Sequence, residues 1–283
     1  MRRVELADGV ALRVAESGAP SAPAILLVHG WGASLYMWRD WFTPLASAGF
    51  RVLAMDLPGH GLSDKPTDVG RYTIDRMVTT VRELVERERL VRPHVVGQSM
   101  GGAISLELAL RGEAPLGRLA LVNPASFGHV RILPLARRAS PKAMEAVLER
   151  RVPRWVVAQG HRRVYGDPSR ITEADVDQYW APSQFPGYAS AMRRLVHEFQ
   201  WERAAVSEMA SRLSALEGPT APVLVVLGTK DRLVREARPY VASLRKARAP
   251  LEIYTSVGGG HAVNEERPEE IVPVVLEFMT RAR

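Results

Sequence analysis

The sequence predicts an α/β protein: a mostly parallel, eight-stranded sheet flanked by helices on both faces, with an inserted helical segment. Three observations predict it. Short, largely apolar runs of strand length (Ala24–Val28, Arg51–Met55, Leu119–Val122 and 223–227) alternate with helical stretches, the pattern of buried parallel strands joined by helical crossovers. Between 125 and 218 that rhythm stops, and helical segments follow one another without a β-run. Serine, acid, histidine and glycine residues gather just past the strand ends, where ligands bind in sheets of this kind.

Taken in order, residues 2–6 and 10–15 alternate apolar and polar about Asp8-Gly9, a hairpin with a type I′ turn signal. Ala24–Val28 ends in His29-Gly30-Trp31-Gly32, and 36–48 reads as a helix with Trp38, Trp41, Phe42 and Leu45 on one side. Arg51–Met55 runs into a turn-rich loop, 56–64. Residues 73–90 form an amphipathic helix with Met77, Val81, Leu84 and Val85 inward and 86–89 as a solvated face. Val95-Val96-Gly97-Gln98-Ser99-Met100-Gly101-Gly102 then reads strand, sharp turn, helix, and Leu119–Val122 ends at Asn123-Pro124.

In 125–218, Pro141, Pro153, Pro168, Pro182 and Pro186 separate the helices. Arginine pairs recur at 137–138, 150–151, 162–163 and 193–194, and aromatic residues are frequent. Residues 223–227 then end in Gly228-Thr229-Lys230-Asp231. A helix over 235–247 leads to a last strand, 251–254, which ends in Gly258-Gly259-Gly260-His261, and a helix over 268–281 follows. The expected organisation is a core of 1–124 and 219–283 with 125–218 inserted between its halves.

Composition narrows the function. The chain is 46% hydrophobic and 24% charged, as expected of a soluble globular protein. It has no cysteine, which excludes disulfides, thiolate metal sites and cysteine nucleophiles and fits a reducing, cytoplasmic setting. No signal-peptide pattern follows Met1, and no apolar run approaches the length of a membrane span. The net charge of +7 comes with acids interspersed among the arginines. That describes a solvated surface rather than a nucleic-acid face, with at most a weak bias toward anionic substrates. The expected partner is a small molecule; monomer and homodimer both stay open.

The reactive residues form a constellation. A serine hydroxyl is a poor nucleophile unless a base takes its proton, and the base needs a third group to fix its tautomer. Ser99 is the candidate nucleophile, His261 the base and Asp231 the orienting acid. The backbone N–H groups of Met100 and Trp31 are the candidate oxyanion donors, and Trp31, Gly30 and Gln98 are expected at the substrate pocket. His29 and His60 are read as hydrogen-bonding loop holders and Asp56 as a turn buttress. His94, His129, His161 and His197 read as strand-edge or surface residues. The rival acid position, after Leu119–Val122, holds Asn123 and no carboxylate.

Five stretches, His29–Gly32, Asp56–Gly61, Gly97–Gly102, Gly228–Asp231 and Gly260-His261, resemble the landmarks of the α/β-hydrolase superfamily in their usual order. The resemblance implies the α/β-hydrolase fold, a serine triad and a helical cap in the insertion. It also implies carboxylesterase- or lipase-like cleavage of a carboxylic ester through an acyl-enzyme, without metal or organic cofactor. Epoxide hydrolases and haloalkane dehalogenases look similar but carry an aspartate where Ser99 stands. Carbon–carbon bond hydrolases share Ser99-Met100-Gly101-Gly102 but usually follow the histidine with tryptophan, where this chain has Ala262. An amide hydrolase with the same triad and a slow-turnover, receptor-type member also stay open. The aromatic content of the insertion suggests an apolar acyl or alcohol group.

Overall fold

The computed structural model describes residues 1–131, 133–139, 152–216, 218–220 and 222–281; Pro141 and the 150–151 arginine pair lie outside them. Eight strands form one sheet: β1 (Arg2–Glu5), β2 (Ala11–Ser17), β3 (Ala24–Val28), β4 (Arg51–Met55), β5 (His94–Gln98), β6 (Leu119–Val122), β8 (Val223–Gly228) and β10 (Leu251–Ser256). Their spatial order is β1-β2-β4-β3-β5-β6-β8-β10. β2 runs antiparallel to both β1 and β4; the other pairs are parallel.

The apolar runs are strands because both sheet faces are covered. All five residues of β3 are buried. Alternation sends Leu26 and Val28 into one core cluster and Ile25 and Leu27 into the other. From β3 the chain passes to β4 on one side, and β5 then joins β3 on the other, with Val28 paired to Gly97. That reversal opens a crevice at the carboxyl ends of β3 and β5, below the loops that follow Val28 and Gln98.

Helices pack on both faces: α1 (Phe42–Ser47), α2 (Ile74–Arg87), α3 (Met100–Arg111), α9 (Ala237–Lys246), the short α10 (Val263–Glu266) and α11 (Pro268–Thr280). Between β6 and β8 lie α4 (Leu133–Ala139), α5 (Arg154–Val164), α6 (Glu173–Trp180), α7 (Tyr188–Glu198) and α8 (Val206–Ser214). Among the described residues, no helix is long and apolar enough to cross a membrane.

Five expectations change. The 36–48 helix is split into a 3-10 turn, Leu35–Trp38, and α1. Pro44 has no N–H to give the Asp40 carbonyl, and its ring crowds that carbonyl; Trp38, Trp41 and Leu45 are nonetheless fully buried. The hairpin is not type I′. Gly9 has φ +82° but Asp8 is not left-handed, and Gly9 N–H donates to Leu6 O (3.1 Å), the pattern of a turn closed by a left-handed glycine.

Glu88 is not solvated: its carboxylate, 8% exposed, pairs with Arg2 and Arg51. The 125–218 stretch is not free of strand, since β7 (His129–Val130) pairs antiparallel with β9 (Val234–Arg235); two residues are too few to show a period. Finally, His161 is not at the surface. It is 7% exposed and packs edge-on against Tyr165 and Tyr179. Those tyrosines, with Phe127, Phe199 and Trp201, are buried, while Trp155 and Phe185 are exposed. Phe127, Phe199 and Trp201 join one sheet-side core cluster and Tyr179 the other, so these rings pack the insertion against the sheet core.

Candidate active site

Ser99 sits between β5 and α3 as the helix N-cap, with φ 52° and ψ −114°. A non-glycine residue held there stores roughly 1–3 kcal/mol of strain. The surroundings fix it. Ser99 N–H donates to Val122 O, and Ser99 O accepts from Ala103 and Ala125 N–H, each at 3.0 Å. Gly101 makes the packing possible, because a Cβ there would run into the carbonyls of Val28 and His29. At the first helical position, Met100 N–H has no intrahelical acceptor, and the helix N-terminus favours negative charge beside it.

The loop after β3 lies against the same serine. A Cβ on Gly30 would overlap Gln98 Oε1 and come within 3.0 Å of Ser99 Cβ. Buried His29 shapes this loop. Its Nε2 accepts Leu57 N–H (2.9 Å), so Nδ1 carries the hydrogen and donates to Gly30 O (2.7 Å). Burial pushes the His29 pKa down and that of His60 well down. The two rings meet edge-on at 4.9 Å as neutral struts. Asp56 accepts Leu35 N–H (2.7 Å) and Leu62 N–H (2.8 Å) and pairs with Arg13 (2.6 Å), which is the turn buttress expected. Partly buried Trp31 reaches the insertion through Nε1–H to Met192 O (3.4 Å).

Asp231 and His261, both past strand ends, meet. Asp231 Oδ2 lies 2.8 Å from His261 Nδ1, and the side chains are 6% and 5% exposed. Asp231 Oδ1 accepts the N–H groups of Leu233 (2.8 Å) and Val234 (3.0 Å). The carboxylate is therefore fixed in rotation, Nδ1 is the protonated nitrogen, and Nε2 keeps its lone pair. Ser99 Oγ makes no hydrogen bond to His261 among the described residues; such contacts are often loose without a substrate.

Two further side chains hold the histidine loop. Gln98 Nε2–H donates to His261 O (3.1 Å). Gln98, 3% exposed, thereby braces that loop. Asn123, left-handed at φ 41°, donates through Nδ2 to Gly260 O and His261 O, both at 2.9 Å. Its Oδ1 accepts Gly228 N–H (2.9 Å). It joins the tips of β6 and β8 to the histidine loop, a role that its lack of a carboxylate concealed in the sequence.

Comparison with known proteins adds four findings. A family model described as alpha/beta hydrolase fold matches residues 23–268. The chain is 29% identical over 269 residues to a haloalkane dehalogenase of Mycobacterium marinum (93% of this chain, 86% of that protein). It is 25% identical over 297 residues to an AB hydrolase superfamily protein of Bacillus subtilis (96% and 95%). Its fold is similar to that of a meta-cleavage product hydrolase from Pseudomonas fluorescens IP01, with a TM-score of 0.78 at 20% identity over 100% of this chain and 98% of that one.

Proposed function

The chain belongs to the alpha/beta hydrolase family, and on that premise we propose that it is a serine hydrolase cleaving a carboxylic ester through an acyl-enzyme. The observation that carries this reading is the 2.8 Å contact of His261 Nδ1 with a carboxylate already locked by two backbone N–H groups. It leaves Nε2 as a base on the loop tied to the strand of Ser99. A hydroxyl at the elbow supports acyl transfer over displacement by a carboxylate. The relatives' names span different bond types, so the ester itself rests on this chemistry.

In this reading His261 Nε2 takes the Ser99 proton while Oγ attacks the acyl carbon. The oxyanion is received by the N–H groups of Met100 and Trp31, each donor worth on the order of 10²–10³ in rate. His261 returns the proton to the departing alcohol, then activates the water that releases the acid. The helices of 125–218 act as the cap. Trp31, reaching α7, is the candidate pocket wall; the buried cap aromatics lend no support to an apolar substrate.

A fluorophosphonate probe should label Ser99 alone, and Ser99→Ala should abolish both labelling and p-nitrophenyl ester turnover. Labelling that survives in Ser99→Ala would overturn the assignment.

A further inference from the structure

A buried carboxylate next to the candidate base has no part in the mechanism above. Glu266, the last residue of α10, has a side chain with no exposure. It collects three backbone N–H groups. Oε2 accepts those of Gly260 (2.7 Å) and Gly166 (3.0 Å), and Oε1 that of Asp167 (2.8 Å). Gly260 immediately precedes His261; Gly166 and Asp167 follow α5 in the insertion.

The same two segments also meet directly. Ala262 N–H donates to Val164 O (3.0 Å). A Cβ on Gly260 would overlap Gly166 N, Tyr165 C and Val164 O, and a Cβ on Gly166 would overlap Gly258 O. The residues on both sides of His261 are thus bound to 164–167, and one carboxylate sits at the joint. Hydrogen bonds to an ionised acceptor are the strong ones. Three inward-pointing donors require an acceptor without hydrogens, which glutamine is not.

We propose that Glu266 is a positioning residue for His261, registering the loop that carries the base against cap segment 164–167 so that the two form one body. The assignment rests on His261 being the base. The joint places the cap's rest position and the histidine's under one set of bonds. Loosening it should therefore cost turnover and the cap's sorting of substrates together.

The test is Glu266→Gln in the full chain, with active sites counted by end-point fluorophosphonate labelling and kcat and KM measured on p-nitrophenyl esters from acetate to decanoate. The expected result is a fall in kcat per labelled site of at least about tenfold. The chain-length profile of kcat/KM should flatten, with CD spectrum and folded fraction unchanged. A merely structural role would lower the melting temperature and leave per-site kcat and the profile as in the parent, and that outcome overturns the proposal. If Glu266→Gln does not fold, Gly166→Ala opens the same joint from the cap side and must give the same loss. His261→Ala separates the two ideas. Should it keep parental turnover, the reading of His261 fails; should it be inactive while Glu266→Gln is normal per site, only the role of Glu266 fails.

Discussion

Replacing Asp231 by asparagine tests the site most sharply, because the structure fixes which way the new amide points. The amide would carry one acceptor and one donor where Asp231 has two acceptors. With its oxygen toward Leu233 and Val234 N–H, both backbone bonds survive and the NH₂ faces His261. The imidazole must then take the Nε2–H tautomer, which cannot accept the Ser99 proton. Turned the other way, the amide keeps the correct tautomer but leaves two buried N–H groups facing a donor, at about 1–3 kcal/mol each.

The inactive arrangement is thus favoured by roughly 2–6 kcal/mol, or about 30-fold to 10⁴-fold at ~1.4 kcal/mol per decade. The imidazolium also loses its anionic partner, so kcat should fall on the order of 10⁴-fold. The assay is kcat on a p-nitrophenyl ester, normalised to labelled Ser99, with near-parental thermal stability as the control. More than about a tenth of parental kcat would refute both the orientation argument and the choice of Asp231.

The other predictions are independent of this one. Gly30→Ala places a methyl on Gln98 Oε1 and against Ser99; kcat should drop by about one donor's worth, on the order of 10²-fold, and unchanged kcat would show that the β3 loop does not serve the oxyanion. Asn123→Ala removes three hydrogen bonds, two to the histidine loop and one from Gly228 N–H, and should cost about 2–4 kcal/mol in urea unfolding, with a midpoint within error of the parent counting against the bridge. Stability should also decline between pH 6.5 and 5. Burial holds His29, His60 and His94 below the ordinary histidine pKa, His94 at about 4. The unfolded chain therefore binds more protons once the pH drops below about 6.5, and a urea midpoint that stays level from pH 7 to 5 would contradict the neutral pair.

What could be read ahead of the structure follows the range of the forces involved. β3, β4 and β6 lie where their apolar runs place them, because burial on both faces leaves a local imprint. The Gly97–Gly102 turn does so as well, because Ser99 holds φ 52° where Gly97 and Gly101, two residues to either side, let strand and helix pack closely. The 36–48 stretch breaks into two short helical pieces for a local reason, Pro44. His161 and Glu88 failed because what buries them lies elsewhere: Tyr165 and Tyr179 around His161, Arg2 and Arg51 around Glu88.

The succession of the eight sheet strands, the elbow at Ser99 and the acid and base candidates were legible along the chain, since each is written in short-range pattern and residue chemistry. How those groups are held emerged only on folding. Asn123 binds a loop 137 residues away, Gln98 one 163 away, and Glu266 ties the histidine loop to Gly166, 100 residues distant. A hydrogen bond constrains three-dimensional distance and leaves no period along the chain, so the braces around His261 became visible only once the strand ends were brought together.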